Sequence, residues 1–375
     1  MSAEEELTSE RGRAPRWWRG RVQQFVAVAV AGALVGAAAM AWQQQAGPFA
    51  DEGEGRLCWG ALGPADLAPL LREPEGIESA DVPVLSDDTG YDGPTGSCHL
   101  TGRDGMDGGG WAMTVRVHRL DNRFGSGGRW ADEFLAGRLT PLGGDLSGMA
   151  SDGRAWLALP EGCPGPAVGD KTQGPTVVDI ADSLTPDEDQ PDRRRRDALA
   201  RMLVKVTNKV TADLGCSGRI ADPVPHLAAN PRYDSHERPD ALCGIKGLAL
   251  PGNRKPESYP IRTSGTWPVR TCDRDPLLGS PSMRLMTVED PRLVEMFYGP
   301  EYVGAPVESG SRAGYGGIGP NQAWFRAKCE SGRVLFLVRS NGSGHRAGDV
   351  RALFPKYAEA EADRLGCGPL RLKLP

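Results

Sequence analysis

The side chains able to do chemistry in this chain are few and scattered. Asn341-Gly342-Ser343-Gly344-His345 sets a serine two residues from a histidine. Neighbours in a Gly-rich segment rarely hold nucleophile and base in line, so a turn is expected there. Neither G-x-S-x-G nor S-x-x-K, the spacings that expose or activate a serine, occurs. The five histidines do not cluster: His99 follows a cysteine, His118 sits on an expected strand opposite Met113, Val115 and Val117, and His226 and His236 fall in a Pro-rich stretch. Exposed or edge histidines, not ligands, are the reading for His99 and His118. Asp87-Asp88-Thr89-Gly90-Tyr91-Asp92-Gly93 has the oxygens of a calcium loop but lacks D-x-D-x-D-G and a closing Glu, so it reads as an Asp/Gly turn. Arg193 to Arg196 is the one dense basic run, and acidic Asp187-Glu188-Asp189 just before it offsets its field; a solvated helix face is expected. Gly310 to Gly319 lacks the Lys and Ser/Thr of a P-loop and reads as a mobile loop able to carry a binding surface. No catalytic, metal or cofactor residue is nominated, and none of these patterns points to an enzyme.

The elements that would have to position such groups show a plainer order. With 375 residues, 39% hydrophobic and 25% charged, the chain has globular proportions with room for two domains. A net charge of -5 supplies no excess of cations for phosphates, which argues against nucleic-acid binding. Phe25 to Trp42 carries no charge, follows five arginines between Arg11 and Arg21, and precedes Asp51, Glu52 and Glu54. That is the pattern of one transmembrane helix over 25–42, a cytoplasmic tail over 1–24 and an extracytoplasmic remainder, tethered by 43–56. Ala39-Met40-Ala41 offers the competing reading of a cleaved signal, whereas Cys58 lies too far along for a lipid-modified N-terminus. Gly32 and Gly36 stand four apart, the spacing that lets two spans approach as a homodimer.

Beyond the span the chain repeats itself. Leu57-Cys58 recurs as Leu242-Cys243, Cys98 with Met113-Thr114-Val115 and Phe124 as Cys272 with Met286-Thr287-Val288 and Phe297, Ala155-Trp156 before Cys163 as Ala323-Trp324 before Cys329, and Leu214-Gly215-Cys216 as Leu365-Gly366-Cys367. A tandem duplication follows, with α+β domains over 57–220 and 241–375 and a stiff Pro-rich linker over 221–240. In each, alternating segments predict an antiparallel sheet: Trp111 to Leu120, Ala155 to Leu159 and Thr176 to Ile180, then Ser282 to Val288 (around Met283, Leu285 and Val288), Gln322 to Ala327 and Arg333 to Val338. A closing helix at about 193–215 carries Leu199, Met202, Leu203, Val206, Val210 and Leu214 on one face, and a shift of 151 residues finds Val350, Leu353, Phe354, Tyr357 and Leu365. Only Glu361, opposite Val210, breaks the match.

The eight cysteines form two ordered sets of four, without the close pairs of a zinc site. If both halves share one connectivity, three remain open. First with second and third with fourth is expected: Cys163 to Cys216 and Cys329 to Cys367, because bridging the strand cysteine to the helix-end cysteine pins helix to sheet, and Cys58 to Cys98 and Cys243 to Cys272 mainly because that is the simplest pattern for the rest.

The 36 arginines against 8 lysines, with abundant Ala, Gly and Pro, look like an actinobacterial protein. The arrangement of tail, span and paired four-cysteine domains resembles uncharacterised actinobacterial single-pass membrane proteins, and each half is similar to small secreted α+β domains of actinobacterial lipoproteins. The resemblance carries no functional residue. The resulting expectation is a non-enzymatic, membrane-anchored protein that binds an extracytoplasmic protein or wall ligand, through Gly310 to Gly319 or the cleft between domains. The alternatives are a cell-envelope hydrolase and a self-associating envelope assembly component. A reporter fused after residue 375 is predicted to be active only outside the cytoplasm with the product in membranes; a soluble product beginning at Trp42 would replace the anchor by a cleaved signal.

Overall fold

Alternation in the apolar segments continues on both parities, so most central strands bury both faces, and this decides the architecture. The computed structural model describes residues 56–71, 74–85, 95–104, 109–120, 130–161, 163, 174–183, 192–221, 227–233, 238–253, 261–263, 265, 267–274, 282–297, 302, 304–310, 314–341 and 347–375. The expected span with Gly32 and Gly36, the Asp87 to Gly93 turn, Phe124, Asp187 to Asp189, His226, His236 and Ser343 to His345 lie outside them. Among the described residues no helix is long and apolar enough to cross a membrane.

Two antiparallel sheets make up most of the structure. The first contains β1 (Pro74–Leu85), β2 (Thr95–Asp104), β3 (Gly109–Arg119), β4 (Thr140–Pro141), β5 (Gly148–Ala150), β6 (Arg154–Ala158) and β7 (Thr176–Asp182), in the order β1-β2-β3-β7-β6-β5-β4. The second contains β8 (Arg232–Tyr233), β9 (Ile261–Arg262), β10 (Val269–Arg274), β11 (Met283–Val288), β12 (Ala305–Ser309), β13 (Gly314–Ile318), β14 (Gln322–Cys329), β15 (Gly332–Ser340) and β16 (Leu372–Lys373). Its order is β16-β12-β13-β14-β15-β11-β10-β9-β8, so β9 to β15 repeat the seven-strand order of the first sheet. Short helices α1 (Trp130–Phe134) and α3 (Pro291–Glu295) occupy matching places in the chain, as do the closing helices α2 (Arg193–Asp213) and α4 (Ala347–Arg364).

Register refines the repeat. Cys98 pairs with Val115 and Cys272 with Leu285, which sets Met113 level with Met283 and not with Met286. Val288, expected beside Met283 and Leu285, lies with Met286 on the opposite face, where it is equally buried. One face of each sheet takes its closing helix: α2 covers β5, β6 and β7, and α4 covers β14 and β15. Leu199, Met202, Leu203, Val206 and Val210 enter the core of the first half, and Val350, Leu353, Phe354 and Tyr357 that of the second. All four expected disulfides are present, with Cα separations of 4.6 to 5.9 Å, and Cys216 and Cys367 tie the helix ends to Cys163 and Cys329. Loops of this length correspond to about 4 kcal/mol each in the chain-entropy account.

The other faces meet. Trp130, Phe134, Met149, Trp156 and Val177 from the first half pack with Val269, Met286, Phe297, Trp324 and Leu335 from the second in one shared buried cluster. Residues Arg56–Pro375 form a single compact unit, and the layers run helix, sheet, sheet, helix. The space between the halves, expected as a cleft, is thus core. Within the expected linker, Ala228 hydrogen-bonds the Pro141 carbonyl at 3.1 Å and Tyr233 pairs with Ile261, tying it to both halves.

A buried ionic bracket crosses this shared layer. Arg284, on β11, grips Asp273 on β10 through both carboxylate oxygens at 2.7 Å, and reaches Asp132 at 2.6 Å and the Ala131 carbonyl at 2.9 Å in α1. Arg339 adds a second cation on Asp132, and the Gly137 amide donates to Asp273 at 2.7 Å. A Cβ at Gly137 would stand 2.9 Å from that carboxylate, so the approach needs glycine. Burial disfavours the Arg284 charge, but Asp273 and then Asp132 outweigh it and hold the guanidinium above its ordinary pKa. Arg284→Met is predicted to cost about 3 to 5 kcal/mol, because Asp273 is left buried without its cation. Urea unfolding checks this, and an unchanged midpoint contradicts it.

Candidate functional site

Register identifies what differs between the halves. In the first, Gly96 pairs with Val117 on β2 and β3, beneath Val206 and Val210 of α2. In the second, the same positions are Arg270 paired with Thr287, beneath Tyr357 and Glu361 of α4. An apolar solution has become a polar one on the same scaffold.

Glu361 is 1% exposed, yet four donors serve it. Arg270 reaches Oε1 at 3.0 Å; Thr287 reaches Oε2 at 3.0 Å, and Arg364 the same oxygen at 3.0 and 2.7 Å. Thr287 has one hydroxyl hydrogen and gives it to Glu361, so the contact of 2.8 Å with Tyr357 requires the tyrosine to donate. Burial, with Glu361's charge second, holds the Tyr357 phenol well above its ordinary pKa, consistent with a permanent donor. Burial also raises Glu289, which Arg364 contacts at 3.3 Å, while Glu361 and Glu289 raise Arg364 against the opposing effect of its own burial. Two carboxylates thus face two guanidiniums.

Beside this cluster lies a shallow recess with room for about one water molecule, lined by Cys243, Arg262, Arg270, Cys272, Tyr357 and Glu361 among others. Chemically it offers a saturated carboxylate, a neutral phenol and a disulfide wall. None of these is a poised base or nucleophile.

Other convergences are also closed. Asp179, Arg154 and Glu133 form one ion-paired set, with His118 Nε2 3.9 Å from Asp179. His118 is on the face expected but is buried rather than exposed, because Phe134 covers it at 5.8 Å between ring centres; burial lowers its pKa. His99 is exposed as expected and hydrogen-bonds Thr114 at 3.2 Å. Cys58, Asp81 and Cys98 converge in the geometry of a metal site, but the two sulfurs are bonded to each other and the Trp59 amide holds Asp81 at 2.6 Å, leaving no ligand set.

Two further expectations change. In the basic run, Arg193 and Arg194 are exposed, but Arg195 pairs with Asp182 and donates to the Leu70 carbonyl at 2.6 Å, and Arg196 is 3% exposed beside Asp197. Half of the solvated face is therefore a brace. Gly314–Ile318 is strand β13 and not a loop: at Gly316 a Cβ would lie 2.3 Å from the Trp324 carbonyl and 2.8 Å from Phe325, so glycine lets β13 close on β14. Tyr315 on β13 is exposed and receives a hydrogen bond from Arg326 at 2.8 Å.

The chain matches no known protein family, no curated protein and no solved structure.

A pH dependence follows from Tyr357. Its folded pKa is raised, so the neutral phenol stabilises the fold fully below the unfolded value near 10, and that contribution is lost as pH rises above it. Tyr357→Phe is predicted to flatten the decline of stability above pH 10 relative to the parent, measured by denaturant melts from pH 8 to 11; identical slopes contradict the assignment.

Proposed function

We propose that this chain is a membrane-anchored, extracytoplasmic binding or interaction protein that does not catalyse a reaction. The observation that carries this reading is how the converging acids and bases are used. Glu361 is occupied by four donors, Asp273 by Arg284 and the Gly137 amide, and Asp179 by Arg154. A general base needs a free lone pair directed at a substrate proton, and a nucleophile needs an activating neighbour. Groups saturated by guanidiniums supply neither; they hold buried elements together.

The four closed disulfides support an oxidising compartment, and the uncharged run at Phe25 to Trp42 supports an anchor. Against esters, glycosides and peptides of envelope type, the purified protein is predicted to give no turnover above that of a Glu361→Gln, His118→Ala double variant. Turnover that the double variant abolishes would replace this reading by a hydrolase.

A further inference from the structure

The two sheets present equivalent faces, and among the described residues only one is covered. In the second sheet the face of β10 and β11 that carries Thr271, Asp273, Arg284 and Met286 is covered by the segment from Ala131 to Leu139. Thr271 donates to the Leu135 carbonyl at 3.3 Å, Asp273 receives the Gly137 amide, and Arg284 takes Asp132. Register places Ser97, His99, Thr114 and Arg116 of the first sheet at those same four positions. The cross-strand pair His99 and Thr114 stands where Asp273 and Arg284 stand, and its two side chains likewise hydrogen-bond.

In the first sheet this face is open among the described residues. Glu78, Ala80 and Val82 on β1, His99, Thr101 and Arg103 on β2, and Arg116 on β3 are exposed. Val82 is 54% exposed, one of the few large apolar side chains so exposed among the described residues. The lane is small and weakly polar, with two arginines and a histidine against Glu78, on a chain whose net charge is -5. That balance is complementary to a carboxylate. The covered twin shows the kind of occupant such a face takes: a peptide segment, mostly apolar, carrying an aspartate onto Arg284, which stands at the position of Thr114, two residues along β3 from Arg116.

We propose that the open face of β1, β2 and β3 docks an extended, carboxylate-bearing segment of another extracytoplasmic protein, with Arg116 and Arg103 receiving its acid and Val82 and Ala80 its apolar side chains. This rests on the reading of the chain as an interaction protein and names the surface and the chemistry of the partner. A second copy of the same face would bring like charges together, and the equivalent segment of the second half, around Arg292 and Met296, is already packed against the Leu159 carbonyl and Gly174.

The test is site-specific photocrosslinking in native membranes. A photoreactive residue is placed in the full chain at Thr101 on the face or, as a control, at exposed Arg201 on α2. The proposal predicts a discrete protein adduct from position 101 only, reduced at least tenfold by Arg103→Glu with Arg116→Glu, whose mapped peptide contains Asp or Glu. If the charge reversal lowers the melting temperature, Ala80→Trp serves as the steric block and must produce the same loss. An adduct that survives both, or one with a polysaccharide or lipid, overturns the proposal. Adducts only from position 201 overturn the face and leave the interaction reading standing, whereas no adduct from either position contradicts both.

Discussion

A guanidinium cut off from water must find its partners inside the protein, and in this chain the partners of Arg284 come from both halves. Asp273 is its neighbour within the second sheet, and Asp132 belongs to α1 of the first half. Breaking such a pair leaves an uncompensated buried charge, so the ionic contact tolerates little sliding of one sheet over the other. The apolar groups around it tolerate more, since hydrophobic contact is non-directional. Burial of Trp130, Trp156, Phe297 and Trp324 therefore supplies the cohesion of the shared layer, while the bracket fixes its register.

Duplication explains the remaining architecture and where it diverges. The same seven-strand order is built twice, each copy closed by a helix and two disulfides. Under the first helix the fold is completed by Val117, Val206 and Val210, so nothing in the scaffold demands polar groups there. Under the second, Thr287, Tyr357 and Glu361 bring in charge that Arg270 and Arg364 must neutralise. The β10 and β11 face is covered by the other half, and its counterpart on β2 and β3 is open among the described residues. Difference between copies, rather than any single motif, is what distinguishes candidate functional surfaces in this molecule.

What could be read from the sequence was whatever has a short period or an ordered spacing. The closing helices, the central strands and the bridges Cys163–Cys216 and Cys329–Cys367 follow from apolar periodicity and from cysteines adjoining those elements, while Cys58–Cys98 and Cys243–Cys272 were legible only as the simplest pairing of what remained. Glu361 stood out because it broke a repeat. Arg284 and Asp132 did not, being 152 residues apart in a chain where such pairs are many. Val288 lies opposite Met283 and Leu285, against expectation, because with both faces buried alternation no longer separates core from solvent. Burial of His118 depends on Phe134 arriving from a helix outside the sheet, and the strand at Gly314–Ile318 depends on how closely Trp324 and Phe325 of β14 approach its glycines; neither contact leaves a local pattern.

The central claim is that the halves are one cooperative body held in register across a shared layer. Scanning calorimetry of the disulfide-intact chain over residues 56–375 tests it most directly. A single transition whose calorimetric and van't Hoff enthalpies agree is the predicted result. Two resolved transitions, each matching a half expressed separately, would contradict it.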